Sequence, residues 1–263
     1  MKNYLLALCV AVSISACSKK EDDQKVVSKE GESNSAITDC SGTISAGTYF
    51  MMNNVWGSGA GRQCIFWNNV NSWGVDASHT TSSSSGIKSY PAVVYGCHWG
   101  RCGTGTALPK QISALGNSRT WWTQTGTGSS WNAAYDIWFH PTRDPGNAAA
   151  RYELMIWLNW NNQKPIAGSY DASGNAIPFA RNVTIRDADG TAHVWNIYRR
   201  GDVFSFLLAT KSNWVSLDIK PIANYCVARG WMSSSAYMTS IQAGWEIISG
   251  GTYRTTSFGV AAL

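Results

Sequence analysis

The sequence is short of charge. Only 14% of its 263 residues are charged, and past Asp39 it holds two glutamates, Glu153 and Glu246. Its lysines and arginines are scattered singly, so there is no basic stripe to track phosphates, and nucleic acid is excluded as a partner. The four histidines, His79, His98, His140 and His193, are dispersed, and each reads as a surface or loop residue. No Gly-x-Ser-x-Gly elbow and no helical pair of metal ligands accompanies them, which argues against a hydrolytic triad, a metal centre or a cofactor. The apolar run from Tyr4 to Ile14 is too short to span a membrane permanently.

That run follows Lys2 and precedes the small-residue site Ser15-Ala16-Cys17, the layout of an export signal. Ile14-Ser15-Ala16-Cys17 also resembles a bacterial lipobox, which makes residues 1–17 a lipoprotein signal and Cys17 the lipid-bearing residue. Residues 18–39 are rich in Lys, Glu, Asp and Ser and have almost nothing to bury, so a disordered tether is expected. Residues 40–263 suffice for one domain with a substantial core, without a second composition shift or an internal repeat. The expected location is the bacterial cell envelope, with a monomer anchored by lipid at the outer membrane or cell surface.

Export to an oxidising compartment makes cysteine pairing plausible. Cys97 and Cys102 can close a small loop, and Cys40 can staple the N-terminal strand to the strand holding Cys64. Zinc at Cys97, His98 and Cys102 is the competing reading, although the spacing matches no common zinc signature. Cys226 falls on a helical pattern and reads as a buried free thiol.

Short alternating or apolar runs separated by Gly, Ser, Asn and Thr recur along the domain, among them 92–97, 118–124, 132–139, 152–160, 193–200 and 240–248. Many strands at regular spacing predict an all-β, two-sheet antiparallel sandwich. One segment differs. From Leu217 to Arg229 the apolar residues recur at helical spacing and Gly230 supplies a stop, so a single α-helix is expected on the outside of the sandwich.

Strand alternation sorts the side chains. Leu154, Ile156 and Leu158 share a core face, while Glu153, Met155, Trp157 and Asn159 share the other. Asp136 and Glu246 lie in runs of the same kind, so convergence of these faces would put three carboxyls on one concave surface. Glutamate in an apolar strand costs several kcal/mol unless it is paired, hydrogen-bonded or neutralised. Two carboxyls with unequal proton affinities are what glycosidic cleavage needs: a proton for the leaving oxygen and negative charge near the oxocarbenium ion. A spacing of about 5 to 5.5 Å allows direct attack and retention, and roughly 6.5 to 9.5 Å admits water and gives inversion. Fourteen tryptophans exceed what such a core requires, and aromatic faces stack on pyranose rings, so an open cleft for a polysaccharide is expected. Trp56 is the expected sugar platform. Trp122, Trp138, Trp195 and Trp231 are expected in the core.

The blocks Asn53-Asn54-Val55-Trp56-Gly57, Tyr95-Gly96-Cys97-His98-Trp99-Gly100, Trp131 to Phe139 (WNAAYDIWF), Glu153 to Trp160 (ELMIWLNW) and Gly244-Trp245-Glu246, in this order, resemble glycoside hydrolase family 12, the β-jelly-roll endoglucanases. The resemblance implies a jelly roll with a concave cleft, a β-glucan polysaccharide as substrate and retaining double displacement. It further implies Glu153 as nucleophile, Glu246 as acid/base and Asp136 hydrogen-bonded to the nucleophile, with Asn54, Trp56, Met155 and Trp157 lining the cleft. The context after Glu246, Ile247-Ile248-Ser249-Gly250, departs from the family pattern. The rival readings are a xyloglucanase or xylanase on the same fold, or a noncatalytic sugar-binding jelly roll.

Overall fold

Runs in which every second side chain is apolar can bury one face only by lying against another layer, and this chain builds two such layers. The computed structural model describes residues 36–80, 86–261 and 263, so the leader, Cys17 and residues 18–35 of the expected tether lie outside the described residues. The smaller sheet has the order Ile37–Asp39, Gln63–Asn69, Ser72–Ala77, Gly251–Ala261, Arg119–Gly126 and Trp214–Asp218. The main path of the larger sheet runs Ala180–Arg186, Ala192–Arg200, Val203–Leu208, Tyr152–Asn161, Trp131–His140, Tyr237–Ile247, Ala92–His98, Tyr49–Met52 and Thr43–Ala46.

All strand pairs among the described residues are antiparallel but one: Val203–Leu208 runs parallel to Tyr152–Asn161. The chain leaves Tyr152–Asn161, makes the Ala180–Arg186 and Ala192–Arg200 hairpin, and returns in its original direction. Between the sheets lies one apolar core. Trp131, Ala133, Tyr135, Ile137 and Phe139 of the central strand enter it together with Leu154, Ile156 and Leu158, the face that alternation assigns to the interior. Trp73, Trp122 and Trp245 interlock there at ring separations of 5.2 to 6.0 Å. Trp245 therefore anchors its strand from below, and its neighbour Glu246 must point the other way.

The domain begins earlier than Cys40, because Ile37–Asp39 adds a short edge strand to Gln63–Asn69. A Cys40–Cys64 disulfide fastens this end, and Cys97–Cys102 closes a hairpin, so the zinc alternative falls away. Cys226 is free and buried.

The helix spans Ile219–Ala228 and buries Ile219, Ile222, Ala223 and Cys226 in the same core as the sheets. It closes the sandwich rather than lying on its outside. It starts later than its periodicity suggests, because Val215 and Leu217 point inward from a strand paired with Arg119–Gly126. Ser72–Ala77 is a further strand that its Ser, Gly and Asp content conceals.

Candidate active site

Three adjacent strands place the acidic groups. The central strand Trp131–His140 pairs Asn132 with Glu246 on one side, and Asp136 with Met155 and Trp138 with Glu153 on the other. The faces not spent on the core turn outward, and Asp136, Glu153 and Glu246 line a single cleft of about 260 Å³. Met155 lines this cleft and packs below it with Ala134, Trp157 and Leu207 in an apolar patch separate from the main core. Tyr90 lies buried beside the acids, its hydroxyl donating to the Ala134 carbonyl at 3.0 Å.

The electrostatics follow from crowding three carboxyls into a partly dry groove. Burial pushes the Glu246 carboxyl up to about 7, the Asn132 amide opposes that rise, and the charge of Glu153 adds to it. Asp136 is pushed well above the carboxylate range, first by complete burial and then by the charge of Glu153. Glu153 is also raised by burial, and it is the least enclosed of the three. Asp136 and Glu246 therefore hold protons most readily, and the negative charge settles on Glu153. The site thus offers one carboxylate beside a proton donor.

Polar partners orient these groups. The Asn132 Nδ2 donates a short hydrogen bond to Glu246 Oε2, and Gln163 Nε2 donates to the same oxygen at 3.5 Å. Burial and the neighbouring His140 push His98 down to about 4, so its ring is neutral in mild acid. The Gln242 amide donates to His98 Nδ1 at 3.0 Å, and the ring meets Trp138 edge-on at 5.0 Å between centroids.

Exposed aromatic groups form the rim. Trp56 is 56% exposed and its turn is laced to Lys88, whose carbonyl accepts from the Trp56 and Gly57 amides at 3.0 and 2.9 Å. Gly57 is obligatory there, since a Cβ would sit 2.5 Å from the Ile87 carbonyl oxygen and Lys88 Cα. Asn54 has φ of 44°, and its amide donates to the Tyr90 carbonyl at 3.2 Å. Across the cleft, Trp99 and Gly100 have φ of 46° and 74° in the two-residue turn of the Cys97–Cys102 hairpin. Such a turn needs the left-handed region at both positions. A tryptophan held there by an adjoining disulfide presents its ring at the cleft.

The structure brings Glu153, Glu246, Asp136, Asn54, Trp56 and Met155 together. Trp157 differs: it is 2% exposed and lies beneath the floor, packed against Trp160. Asp136 shares the cleft with Glu153, whose charge raises the Asp136 proton affinity. Trp122, Trp195 and Trp231 are buried as expected. Trp138 instead lines the cleft, because alternation places it on the face of Asp136. His79 and His140 are buried rather than exposed, and His98 belongs to the cleft. His79 satisfies Gln63 and Ser89 within a polar network that no local pattern announces. Asn132, Tyr90, Gln163 and Gln242 went unread as site residues. The strand face shared with Asp136 could have found Asn132, and the face shared with Glu246 could have found Gln242.

Residues 47–262 match the family model of glycosyl hydrolase family 12. Endoglucanase S of Pectobacterium parmentieri is 37% identical over 218 residues, covering 77% of this chain and 76% of that protein. A probable xyloglucan-specific endo-β-1,4-glucanase A of Aspergillus terreus is 28% identical and covers 99% of each chain. Among solved structures, the native family 12 xyloglucanase from Bacillus licheniformis superposes with a TM-score of 0.73 at 29% identity, covering 87% of this chain and all of that one. With these strand blocks, this cleft and a match spanning the domain, the chain belongs to glycosyl hydrolase family 12.

Proposed function

We propose that the protein is an endo-acting β-1,4-glucanase that cleaves internal glucosidic bonds with retention of configuration. The observation that carries this reading is the convergence of Asp136, Glu153 and Glu246 on one open cleft, where burial raises Glu246 to about 7. Glu246 gives its proton to the glycosidic oxygen as the bond to the anomeric carbon breaks, the electron pair staying on oxygen. A Glu153 oxygen bonds to that carbon. Glu246, now a carboxylate, takes a proton from water, whose oxygen displaces Glu153. Asp136 stays protonated and limits the negative charge beside the nucleophile. An open cleft rimmed by Trp56 and Trp99 suits a chain entering and leaving at both ends, hence internal cleavage. The relatives named for xyloglucan favour a second reading, a branched β-glucan on the same machinery.

Glu153→Gln and Glu246→Gln are each expected to lower turnover by at least about 10²-fold on barley β-glucan with the fold intact. Normal turnover in either variant would remove the assignment. With Glu246→Ala and azide on an activated glycoside, a β-glycosyl azide supports retention and an α product overturns it. The leader motif supports export with a lipid on Cys17; Cys17→Ser should then release the enzyme from membranes, and continued membrane association refutes the anchor.

A further inference from the structure

The amide donors around Glu246 are arranged on one side only. Asn132 is its cross-strand neighbour and is completely buried. Its Nδ2 donates to Oε2, as does Gln163 Nε2. Among the described residues no donor reaches Oε1. An N–H group can donate to a carboxyl oxygen but cannot accept its proton, so a carboxylic acid held this way keeps its O–H on the other oxygen.

The second observation concerns cost. Asn132 Oδ1 is buried without a hydrogen-bond partner, a penalty that a leucine of similar shape would not carry. Folding alone does not explain an amide at this position. Burial and the charge of Glu153, on the Tyr152–Asn161 strand, raise the proton affinity of Glu246, whose own charge raises Asp136 and Tyr90. Asn132 is the neighbour that opposes them.

We infer that Asn132 is a positioning residue that, with Gln163, fixes Glu246 so that Oε1 is the oxygen that delivers the proton to the glycosidic oxygen. This rests on reading Glu246 as the proton donor. During transfer the Oε1–H bond breaks, its proton joins the leaving oxygen, and the resulting carboxylate is met at Oε2 by donors already in place. The same two amides serve the return step, when Oε1 accepts a proton from water.

The test is the pH profile of kcat/KM for Asn132→Leu on barley β-glucan, with Tm measured in parallel. Losing the donor should move the alkaline limb upward by about one pH unit, a tenfold gain in proton affinity, and should lower the plateau by about tenfold. Tm should hold or rise, because the unpartnered acceptor is gone. Gln163→Leu should move the limb in the same direction by a smaller amount. A fall in Tm with the limb unmoved would overturn the inference and leave Asn132 a structural residue. If Asn132→Leu does not fold, the Glu246 carboxyl titration followed by ¹³C NMR in Gln163→Leu and the parent enzyme decides, and coincident curves refute the inference. Full activity of Glu246→Gln would sink the proton-donor reading itself. An inactive Glu246→Gln with an unmoved limb in Asn132→Leu would sink only the role of Asn132.

Discussion

Glu246→Gln should uncouple stability from pH across the range in which the enzyme is expected to work. The carboxyl rises from an ordinary value of 4.5 to about 7 in the folded protein. A carboxyl whose folded value is raised binds more protons in the native than in the unfolded state, so native stability is highest below about 4.5 and falls as pH climbs through 7. The rise corresponds to about 3 kcal/mol for a fully enclosed group, and roughly 2–3 kcal/mol allows for the opening of Glu246 onto the cleft. For a domain of this size that is roughly 4–12 °C in Tm. Glutamine has nearly the same shape, can still accept from Asn132 through its carbonyl, and has no proton to lose. Urea unfolding of parent and variant at intervals from pH 4 to pH 8.5 should therefore show curves that run together in acid and separate above about pH 5, with the variant the more stable by about 2–3 kcal/mol at pH 8. Parallel curves over the whole range would refute the raised proton affinity and with it the physical basis for Glu246 as a donor.

Trp56→Ala should raise KM by roughly two- to tenfold on soluble β-glucan with kcat nearly unchanged, since an exposed ring contributes stacking rather than chemistry; a change confined to kcat would place Trp56 elsewhere in the cycle. Cys40→Ser opens a 24-residue loop and should cost about 3 kcal/mol in urea unfolding, with the activity of the folded enzyme retained. An unchanged midpoint would show that the edge strand Ile37–Asp39 is held without the disulfide.

The legible part of the site was its strand-borne part. Glu153, Asp136 and Met155 announce themselves because a period of two forces each to the face opposite a run of core residues, and the same rule puts Glu246 opposite Trp245. The rule also reached Trp138, which its apolar neighbours disguised as core. Trp157 obeyed the alternation but sank beneath the floor, because Trp160 and Leu207 close over it. Loop residues were harder. Tyr90, Gln163 and Trp99 reach the cleft from turns whose direction depends on disulfide closure, left-handed backbone and packing that no periodicity records.

The amino-acid sequence by itself determined the all-β sandwich, the assignment of side chains to an inner and an outer face, and the identity of the two glutamates, because these follow from local period and composition. Tertiary structure alone decided that Glu246 is the readier proton holder and that Asn132 grips only one of its oxygens. It also decided that the charge of Glu153 raises the proton affinity of Asp136. Proton affinity depends on the water excluded and the charges gathered around a group, and those neighbours come from strands far apart in the chain, Asn132 lying 114 residues from Glu246.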